Sequence, residues 1–293
     1  MNFSETKTEL FQADAKTKLL VYEWLPDREV KAVMIGIHGG MAHAGDCVTP
    51  ALYFKEKGVA TYAPDLRWHG TYPKYNEKGK VFFHINSFDD YVDDIHKFYF
   101  WVKERHPQAP IFIICHSNGA LIALKYALTL AKKTDIKGFI VSSPWLESRV
   151  KIPAITRKIA KLIAVIHPTF AVKLPTVTDV LTHDEKITAR HHHDEKIGLR
   201  GTTASAKMGG ESEKAQAWVI ANMKTWERFP MFAVLAGKDQ LADPQVSKKA
   251  LNSIPAKLLT LIVHEKNYHE NFNEVNRDKT FGAIWKWMQK ILG

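Results

Sequence analysis

Short apolar runs alternate with longer amphipathic stretches along most of the chain. The runs are rich in β-branched and aromatic side chains, which is typical of strands buried on both faces. They lie at 32–37, 59–63, 111–114, 138–141, 231–236 and 257–263. The composition of the stretches between them predicts helices at 46–58, 87–106, 120–128, 244–253 and 273–291. With two leading strands at 6–12 and 18–25, this order predicts an α/β protein with a mostly parallel central sheet flanked by helices.

The alternation stops between residues 145 and 228. This stretch, called the inserted segment below, is helical and polar in patches and has no clear buried strand. We therefore predict a core formed by 1–144 and 229–293, with a helical cap, or lid, formed by 145–228. Because the segment follows a strand, we expect it above the carboxyl ends of the strands, where α/β sheets bind ligands.

Composition and charge narrow the class of protein. The 293 residues are 45% hydrophobic and include only two cysteines, so a large core is expected and a disulfide framework is not. No apolar stretch follows the N-terminal residues, so we expect no signal peptide, no membrane span and a cytoplasmic location. The net charge of +10 is spread among acids without a nucleic-acid-binding motif, so a nucleic-acid partner is not expected.

The apolar run that ends at Cys115-His116-Ser117-Asn118-Gly119 carries the clearest chemical signal. A strand, a tight turn with serine at its apex and a helix form the context of a nucleophile elbow. Small residues are needed two positions before and after the serine because the turn is crowded, and Cys115 and Gly119 meet that need, although glycine is usual in place of Cys115. The alternative is that Ser117 only caps the helix that follows.

A serine nucleophile requires a histidine base and an acid that orients the histidine. Asp239 follows the strand at 231–236 and is the predicted acid, with Asp243 as the alternative. His269 follows the last strand and is the predicted base, with His264 as the alternative. The resulting order of Ser117, Asp239 and His269 is that of the α/β-hydrolase fold.

The tetrahedral intermediate of such a reaction requires two backbone N–H donors, the oxyanion hole. Asn118, the residue after the nucleophile, is predicted to supply one donor. His38-Gly39-Gly40 follows the strand at 32–37, and glycine lets the backbone approach closely, so Gly40 is predicted to supply the other. A plain tight turn at these glycines is compatible with that role.

These motifs resemble those of the monoacylglycerol lipase and lysophospholipase branch of the serine α/β hydrolases, along nearly the whole chain. The shared motifs are His38-Gly39-Gly40, 65–70, 115–119, 237–241 and Tyr268-His269-Glu270. The resemblance implies the same nucleophile, acid, base and oxyanion donors, an inserted cap at about 145–228, and hydrolysis of medium-chain and long-chain esters without metal or organic cofactor. One further position departs from the family's pattern, because Trp68 stands where glycine is usual.

The inserted segment contains an amphipathic helix whose apolar residues share one face. They are Ile155, Ile159, Leu162, Ile163 and Ile166. We predict that this face lines an acyl-chain pocket above Ser117. A basic amphipathic helix can also lie transiently on a membrane surface, and the segment carries a net charge of +5, whereas packing on the body of the protein is the plain alternative.

Two other functions share parts of this pattern. An aminopeptidase of the proline-iminopeptidase type has the same fold and triad, but it usually shows His-Gly-Gly-Pro-Gly, and here Met41 follows Gly40. A non-catalytic binding protein on the same scaffold would not need a complete triad. The run His191-His192-His193 is not predicted to bind metal, because consecutive residues of a helix do not share a face.

Overall fold

The computed structural model describes residues 4–76, 82–151 and 153–293. The strands are β1 (Lys7–Asp14), β2 (Thr17–Trp24), β3 (Ala32–Ile37), β4 (Val59–Pro64), β5 (Ile111–His116), β6 (Gly138–Ser142), β7 (Ala171–Lys173), β8 (Thr203–Ser205), β9 (Met231–Ala236) and β10 (Leu259–His264). The helices are α1 (Val48–Lys55), α2 (Tyr72–Tyr75), α3 (Phe88–Arg105), α4 (Asn118–Leu128), α5 (Ala154–Ile166), α6 (Glu185–Lys196), α7 (Ala206–Asn222), α8 (Pro244–Leu251) and α9 (Arg277–Leu292). Short 3₁₀ turns lie at Ala44–Cys47, Leu130–Lys133, Thr178–Val180 and Met223–Thr225.

The central sheet has the strand order β1-β2-β4-β3-β5-β6-β9-β10. The first two strands form an antiparallel hairpin, β2 pairs antiparallel with β4, and the pairs from β4 through β10 are parallel. The residues of β3, β4 and β9 are all buried, as expected for strands covered on both faces. The predicted α/β fold and its mostly parallel sheet are confirmed.

Helices cover both faces of the sheet. Apolar residues of α3, α4 and α7 form one core cluster with the sheet, and those of α1 and α9 form another. Helix α7 lies inside the inserted segment, but its Ala215 and Val219 are buried in the main core cluster. The end of the inserted segment therefore packs as part of the body, because these two residues stand one helical turn apart on the face that meets the core.

The inserted segment leaves the sheet after β6 and returns at β9, which pairs directly with β6. The sequence shows no clear buried strand in this segment, and the structure adds a short antiparallel pair, β7 with β8, in which all three residues of β7 are exposed. Three residues are too short a span to show a strand periodicity in sequence. Phe83 of the core extends this pair, since its N–H donates to the Thr203 carbonyl and its carbonyl accepts from the Ser205 N–H, both at 3.0 Å.

Among the described residues, no helix is both long enough and apolar enough to cross a bilayer.

Candidate active site

Ser117 stands at the turn between β5 and α4 in a strained backbone conformation. Its φ of 54° and ψ of −117° are rarely adopted by a residue with a side chain. A Cβ at Gly119 would lie 2.3 Å from the Ile37 carbonyl oxygen, so only glycine fits there. Within the described part of the chain the Ser117 side chain makes no capping hydrogen bond to α4, so the helix-cap alternative is wrong. The turn directs the hydroxyl off the sheet, as a nucleophile elbow does.

The side chains of Ser117, His269 and Asp239 form a continuous hydrogen-bonded chain. His269 Nδ1 lies 2.7 Å from Asp239 Oδ2, and His269 Nε2 lies 2.8 Å from Ser117 Oγ. Because an ionised carboxylate can only accept, the Nδ1–H donates to Asp239 and leaves Nε2 free to accept from the serine hydroxyl. This is the tautomer that a general base needs.

The environment of Asp239 keeps it ionised. Its Oδ1 accepts hydrogen bonds from the N–H groups of Leu241 and Ala242, both at 2.9 Å, which leaves Oδ2 for His269. Burial alone would raise the pKa of this carboxyl group, but His269 and the two N–H groups outweigh burial and hold the pKa below its usual value.

The two alternative residues lie elsewhere and make other contacts. Asp243 caps α8, where its carboxylate accepts from the N–H groups of Gln245 and Val246. His264 is the last residue of β10 and shares a hydrogen bond of 2.9 Å with the Thr280 hydroxyl. The structure therefore brings together Ser117, Asp239 and His269 and leaves both alternatives outside that group.

The two predicted oxyanion donors flank the nucleophile. Asn118 is the first residue of α4, so its N–H is among those at the positive end of the helix dipole. Gly39 and Gly40 follow β3 and line the cavity over Ser117. A Cβ at Gly39 would lie 3.5 Å from the Ser117 Cβ, and one at Gly40 would lie 2.8 Å from the Phe83 ring. The loop thus reaches van der Waals distance of the nucleophile at Gly39, and at Gly40 the Phe83 ring leaves no room for a side chain.

The side chain of Asn118 is a feature that sequence reasoning missed. It is buried, and neither its Nδ2 nor its Oδ1 has a hydrogen-bond partner among the residues described. An unsatisfied buried amide is costly. No signal in the local sequence marks this side chain, because only its backbone N–H enters the motif.

The loop that carries His269 is anchored to the sheet by groups that the sequence reasoning also missed. Asn271 Nδ2 donates to Ser143 Oγ at 3.0 Å, and the rings of His116 and His269 lie 4.6 Å apart, edge to face. His116 shares a hydrogen bond of 3.2 Å with Ser142 Oγ. Burial, with the neighbouring His269, lowers the pKa of His116 to about 3, so His116 stays neutral beside the base.

A cavity lined by both apolar and charged side chains lies over Ser117. Its apolar lining comes partly from the inserted segment. Those residues are Leu174, Pro175, Val177 and Leu181. Four charged side chains also line the cavity, namely Asp46 and Glu270 of the core and Glu195 and Arg200 of the inserted segment. The cavity can therefore hold a molecule with both an apolar and a polar part.

The family model described as "Serine aminopeptidase, S33" matches residues 28–276. The chain belongs to this family. It is 27% identical over 264 residues to Phospholipase YtpA of Bacillus subtilis, covering 90% of this chain and 96% of that protein. It is 23% identical over 290 residues to the monoacylglycerol lipase of Mycolicibacterium smegmatis, covering 97% of this chain and 98% of that protein.

Solved structures share the fold of this family member. A soluble variant of the Saccharomyces cerevisiae monoglyceride lipase, in complex with a substrate analog, has a TM-score of 0.82 at 20% identity, covering 99% of this chain and 96% of that chain. A carboxyl esterase from Bacillus coagulans, in complex with glycerol, has a TM-score of 0.80 at 18% identity, covering 98% and 99%. At this level of identity the likeness shows the fold, which is that of the α/β hydrolases.

The structure explains one departure from the family's motifs. Trp68 has a φ of 66°, in the left-handed region where glycine is favoured. Its ring packs against Tyr72 and His84, with centroids 5.1 and 5.2 Å away. The backbone strain of a large residue is therefore offset by aromatic packing. At the other departure, Cys115 is buried and its thiol donates to the Ile140 carbonyl at 3.4 Å.

The prediction that α5 lines the acyl pocket was wrong. In the cavity formed by the described residues, the lining excludes the five predicted residues of α5, namely Ile155, Ile159, Leu162, Ile163 and Ile166. All but Ile163 are between 53% and 76% exposed, so the helix does not bury this face against the body either. Helical spacing identifies an apolar face, but it cannot show what that face meets.

Seven buried or half-buried charged or imidazole side chains form a cluster beside the cavity, here called the ionic cluster. It consists of His43, Asp46, Arg190, His191, Asp194, Arg200 and Glu270. Its carboxylates and imidazoles could in principle ligate a metal, but Arg200 already pairs with Asp46 and lies 3.6 Å from Glu270. A cation would have to compete with these guanidinium groups, so the donor set does not favour a metal.

The three consecutive histidines of α6 face different surroundings, as predicted from their spacing. His191 is fully buried against Glu270, whereas His192 lies near the surface, 2.7 Å from Asp179.

Proposed function

We propose that this serine ester hydrolase cleaves monoacylglycerols or lysophospholipids with Ser117 as nucleophile, His269 as base and Asp239 as the orienting acid. The observation that carries the proposal is the hydrogen-bonded chain from Asp239 through His269 to Ser117, which ends at a cavity lined by both apolar and charged side chains. The relatives named as phospholipase and monoacylglycerol lipase, which match over nearly their whole length, support this choice of substrate.

In the first half of the reaction, Ser117 Oγ attacks the ester carbonyl while His269 Nε2 takes the hydroxyl proton. The N–H groups of Gly40 and Asn118 stabilise the oxyanion of the tetrahedral intermediate. His269 then gives the proton to the alcohol oxygen as the ester bond breaks, and the acyl group remains on Ser117. In the second half, water attacks the acyl carbonyl while His269 Nε2 takes its proton. The bond to Ser117 Oγ then breaks, Ser117 Oγ takes the proton from His269, and the carboxylic acid is released.

The cavity supports a substrate with one apolar chain and a polar head. The inserted segment contributes apolar side chains to the lining, chiefly Leu174, Val177 and Leu181, and these would contact the acyl chain. Each buried methylene contributes about 0.8 kcal/mol, or roughly fourfold in affinity. We therefore propose that 145–228 serves as a cap that selects the acyl chain.

Kinetics on a series of p-nitrophenyl esters of increasing acyl length test this proposal. We expect kcat/KM to rise over several carbons and then level off in the wild type. Leu174→Gln should flatten the rise, whereas the matched change Ile159→Gln, on the exposed face of α5, should leave it unchanged. A profile that is flat in the wild type would contradict selection of the acyl chain by this cavity.

The aminopeptidase alternative has one observation in its favour, because carboxylates line the cavity and could hold a substrate amine. However, Asp46 and Glu270 are already paired with Arg200 and His191. Hydrolysis of aminoacyl anilides faster than of acyl esters would favour the aminopeptidase over the lipase.

We also propose that α5 contacts lipid surfaces transiently. Its exposed apolar face carries Ile155, Ile159, Leu162, Val165 and Ile166. Lys158 and Lys161 lie on the same helix, and the segment's net charge of +5 complements an anionic surface. Helix α5 therefore combines apolar side chains that can enter the interface with basic ones that attract it.

Co-sedimentation with vesicles tests this contact. Vesicles containing anionic lipid should retain the wild type, and Val165→Asp should release it. Val275→Asp is the matched control, because Val275 is also an exposed valine, at 68% against 80% for Val165, and lies outside the inserted segment. Equal binding of the two variants would show that α5 is not the contact.

A further inference from the structure

The residue that follows the proposed base is held by the inserted segment. The Glu270 N–H donates to the Leu181 carbonyl at 2.9 Å. Its Oε2 accepts from His191 Nε2 at 2.9 Å and from Asn273 Nδ2 at 2.7 Å, and Arg200 Nη2 lies 3.6 Å from Oε1. Leu181, His191 and Arg200 all belong to 145–228, so most of the contacts of Glu270 cross from core to inserted segment.

Other contacts of the ionic cluster also join the core to the inserted segment. Asp46 of the core forms a charge-assisted hydrogen bond with Arg200, and His43 of the core lies 3.1 Å from Asp194 of α6. His191 Nδ1 lies 3.8 Å from Asp46 Oδ1, and both atoms are buried without a hydrogen bond among the residues described. His191 thus stands between two core carboxylates, one on each side of its ring.

Glu270 is held as an ionised carboxylate by its contacts with His191 and Arg200. Burial alone would raise the pKa of Glu270, but His191 and Arg200 outweigh burial and hold that pKa well below its usual range. Glu270 is therefore a buried carboxylate, and removing a partner would leave its charge uncompensated, which is strongly destabilising. The backbone at residue 270 is consequently placed by α6 and by Arg200.

Placement of residue 270 also bears on residue 269, because one peptide unit joins them. His269 Nε2 must stay about 2.8 Å from Ser117 Oγ, and its ring is carried by a loop. A displacement of about 1 Å at a reacting group can lower the rate by about 10²-fold. We infer that Glu270, held by His191 and Arg200, is a positioning residue for His269, so that the base is in place only while α6 is docked on the core. This inference rests on the proposed role of His269 as base.

A matched pair of amide substitutions at His191 tests the inference. Gln can place an amide N–H near the position of His191 Nε2 and so keep the bond to Glu270, whereas the shorter Asn cannot reach it. The substrate is p-nitrophenyl acetate, whose acyl group is too short to contact the apolar side chains of 145–228. On this ester we expect His191→Gln to keep most of the wild-type kcat. His191→Asn should lose about 10- to 100-fold in kcat with KM nearly unchanged.

A control separates positioning from docking in general. Asp184 of the inserted segment forms an ion pair of 2.6 Å with Arg277 of the core and also caps α6. Asp184→Asn removes the charge but keeps a good cap, so it weakens another core contact of the same helix without touching Glu270. We expect its kcat to stay near the wild-type value, with thermal unfolding confirming that all variants are folded.

Each outcome decides between distinct claims. Equal kcat values for folded His191→Asn and wild type overturn the inference, and so does an equal loss in Asp184→Asn. If His191→Asn does not fold, Glu270→Gln replaces it, with an expected loss of about tenfold, and an unchanged kcat in that variant overturns the inference. A wild type that neither hydrolyses the ester nor reacts with a fluorophosphonate refutes the proposed function instead.

Discussion

Replacing Asp239 by Asn should preserve the shape of the site and reverse one hydrogen bond. The amide oxygen can still accept from the N–H groups of Leu241 and Ala242, as Oδ1 now does at 2.9 Å. The amide nitrogen would then stand 2.7 Å from His269 Nδ1, in place of the carboxylate oxygen. Because an amide nitrogen can only donate, Nδ1 must become the acceptor, and the ring proton moves to Nε2.

The size of the effect follows from that change of tautomer. An Nε2–H that faces Ser117 cannot accept the hydroxyl proton, and the imidazolium formed during attack also loses its carboxylate partner. In Ser-His-Asp triads of other folds, this substitution lowers kcat by about 10⁴-fold. At about 1.36 kcal/mol for each factor of ten, the barrier should rise by about 5.4 kcal/mol.

Steady-state hydrolysis of a p-nitrophenyl ester measures this loss. Asp243→Asn is the matched control, since Asp243 lies in the same loop but caps α8, and asparagine caps a helix equally well. The control should keep wild-type kcat. If Asp239→Asn retained more than a tenth of the wild-type rate, or if Asp243→Asn were the inactive variant, the assignment of the acid would be wrong.

Two further predictions concern stability. Burial lowers the pKa of His38 to about 4 and those of His69 and His116 to about 3, whereas histidines of the unfolded chain have a pKa near 6.5. Below pH 6.5 the unfolded state therefore binds more protons, and the free energy of unfolding should fall by about 1.4 kcal/mol per pH unit for each histidine until its folded pKa is reached. Equal urea midpoints at pH 7.5 and pH 5 would contradict this account. Asn118→Leu removes the unsatisfied buried amide and should raise the free energy of unfolding by about 1–3 kcal/mol. Ester kinetics should not change, because the proposed oxyanion donor is the backbone N–H, and a large loss of kcat would show that the side chain takes part in the reaction.

The fold and the meeting of Ser117, Asp239 and His269 could be predicted because both depend on local patterns. Each of the three residues follows an apolar run, and the carboxyl ends of parallel strands meet at one edge of the sheet. Asp239 was preferred to Asp243 only for its place after the strand at 231–236, and the structure adds that Asp243 caps α8 directly before Pro244.

The exposed face of α5 and the partners of Glu270 could not be predicted in the same way. Periodicity showed that Ile155 and Ile159 share a face, but the environment of that face depends on how the inserted segment docks. Glu270 and His191 are 79 positions apart, and no local pattern pairs a buried carboxylate with a distant histidine. The run of three histidines raised the question of a metal site in the sequence, whereas in the structure one of them, His191, contacts Glu270 and so joins the inserted segment to the core.

Covalent labelling with a fluorophosphonate probe, followed by mapping of the labelled peptide, tests the central claim most directly. The account predicts one adduct, on Ser117, that forms in step with the loss of ester hydrolysis and is absent from Ser117→Ala, whose kcat should fall by about 10⁶-fold. An adduct on another residue, or ester hydrolysis that survives in Ser117→Ala, would contradict it.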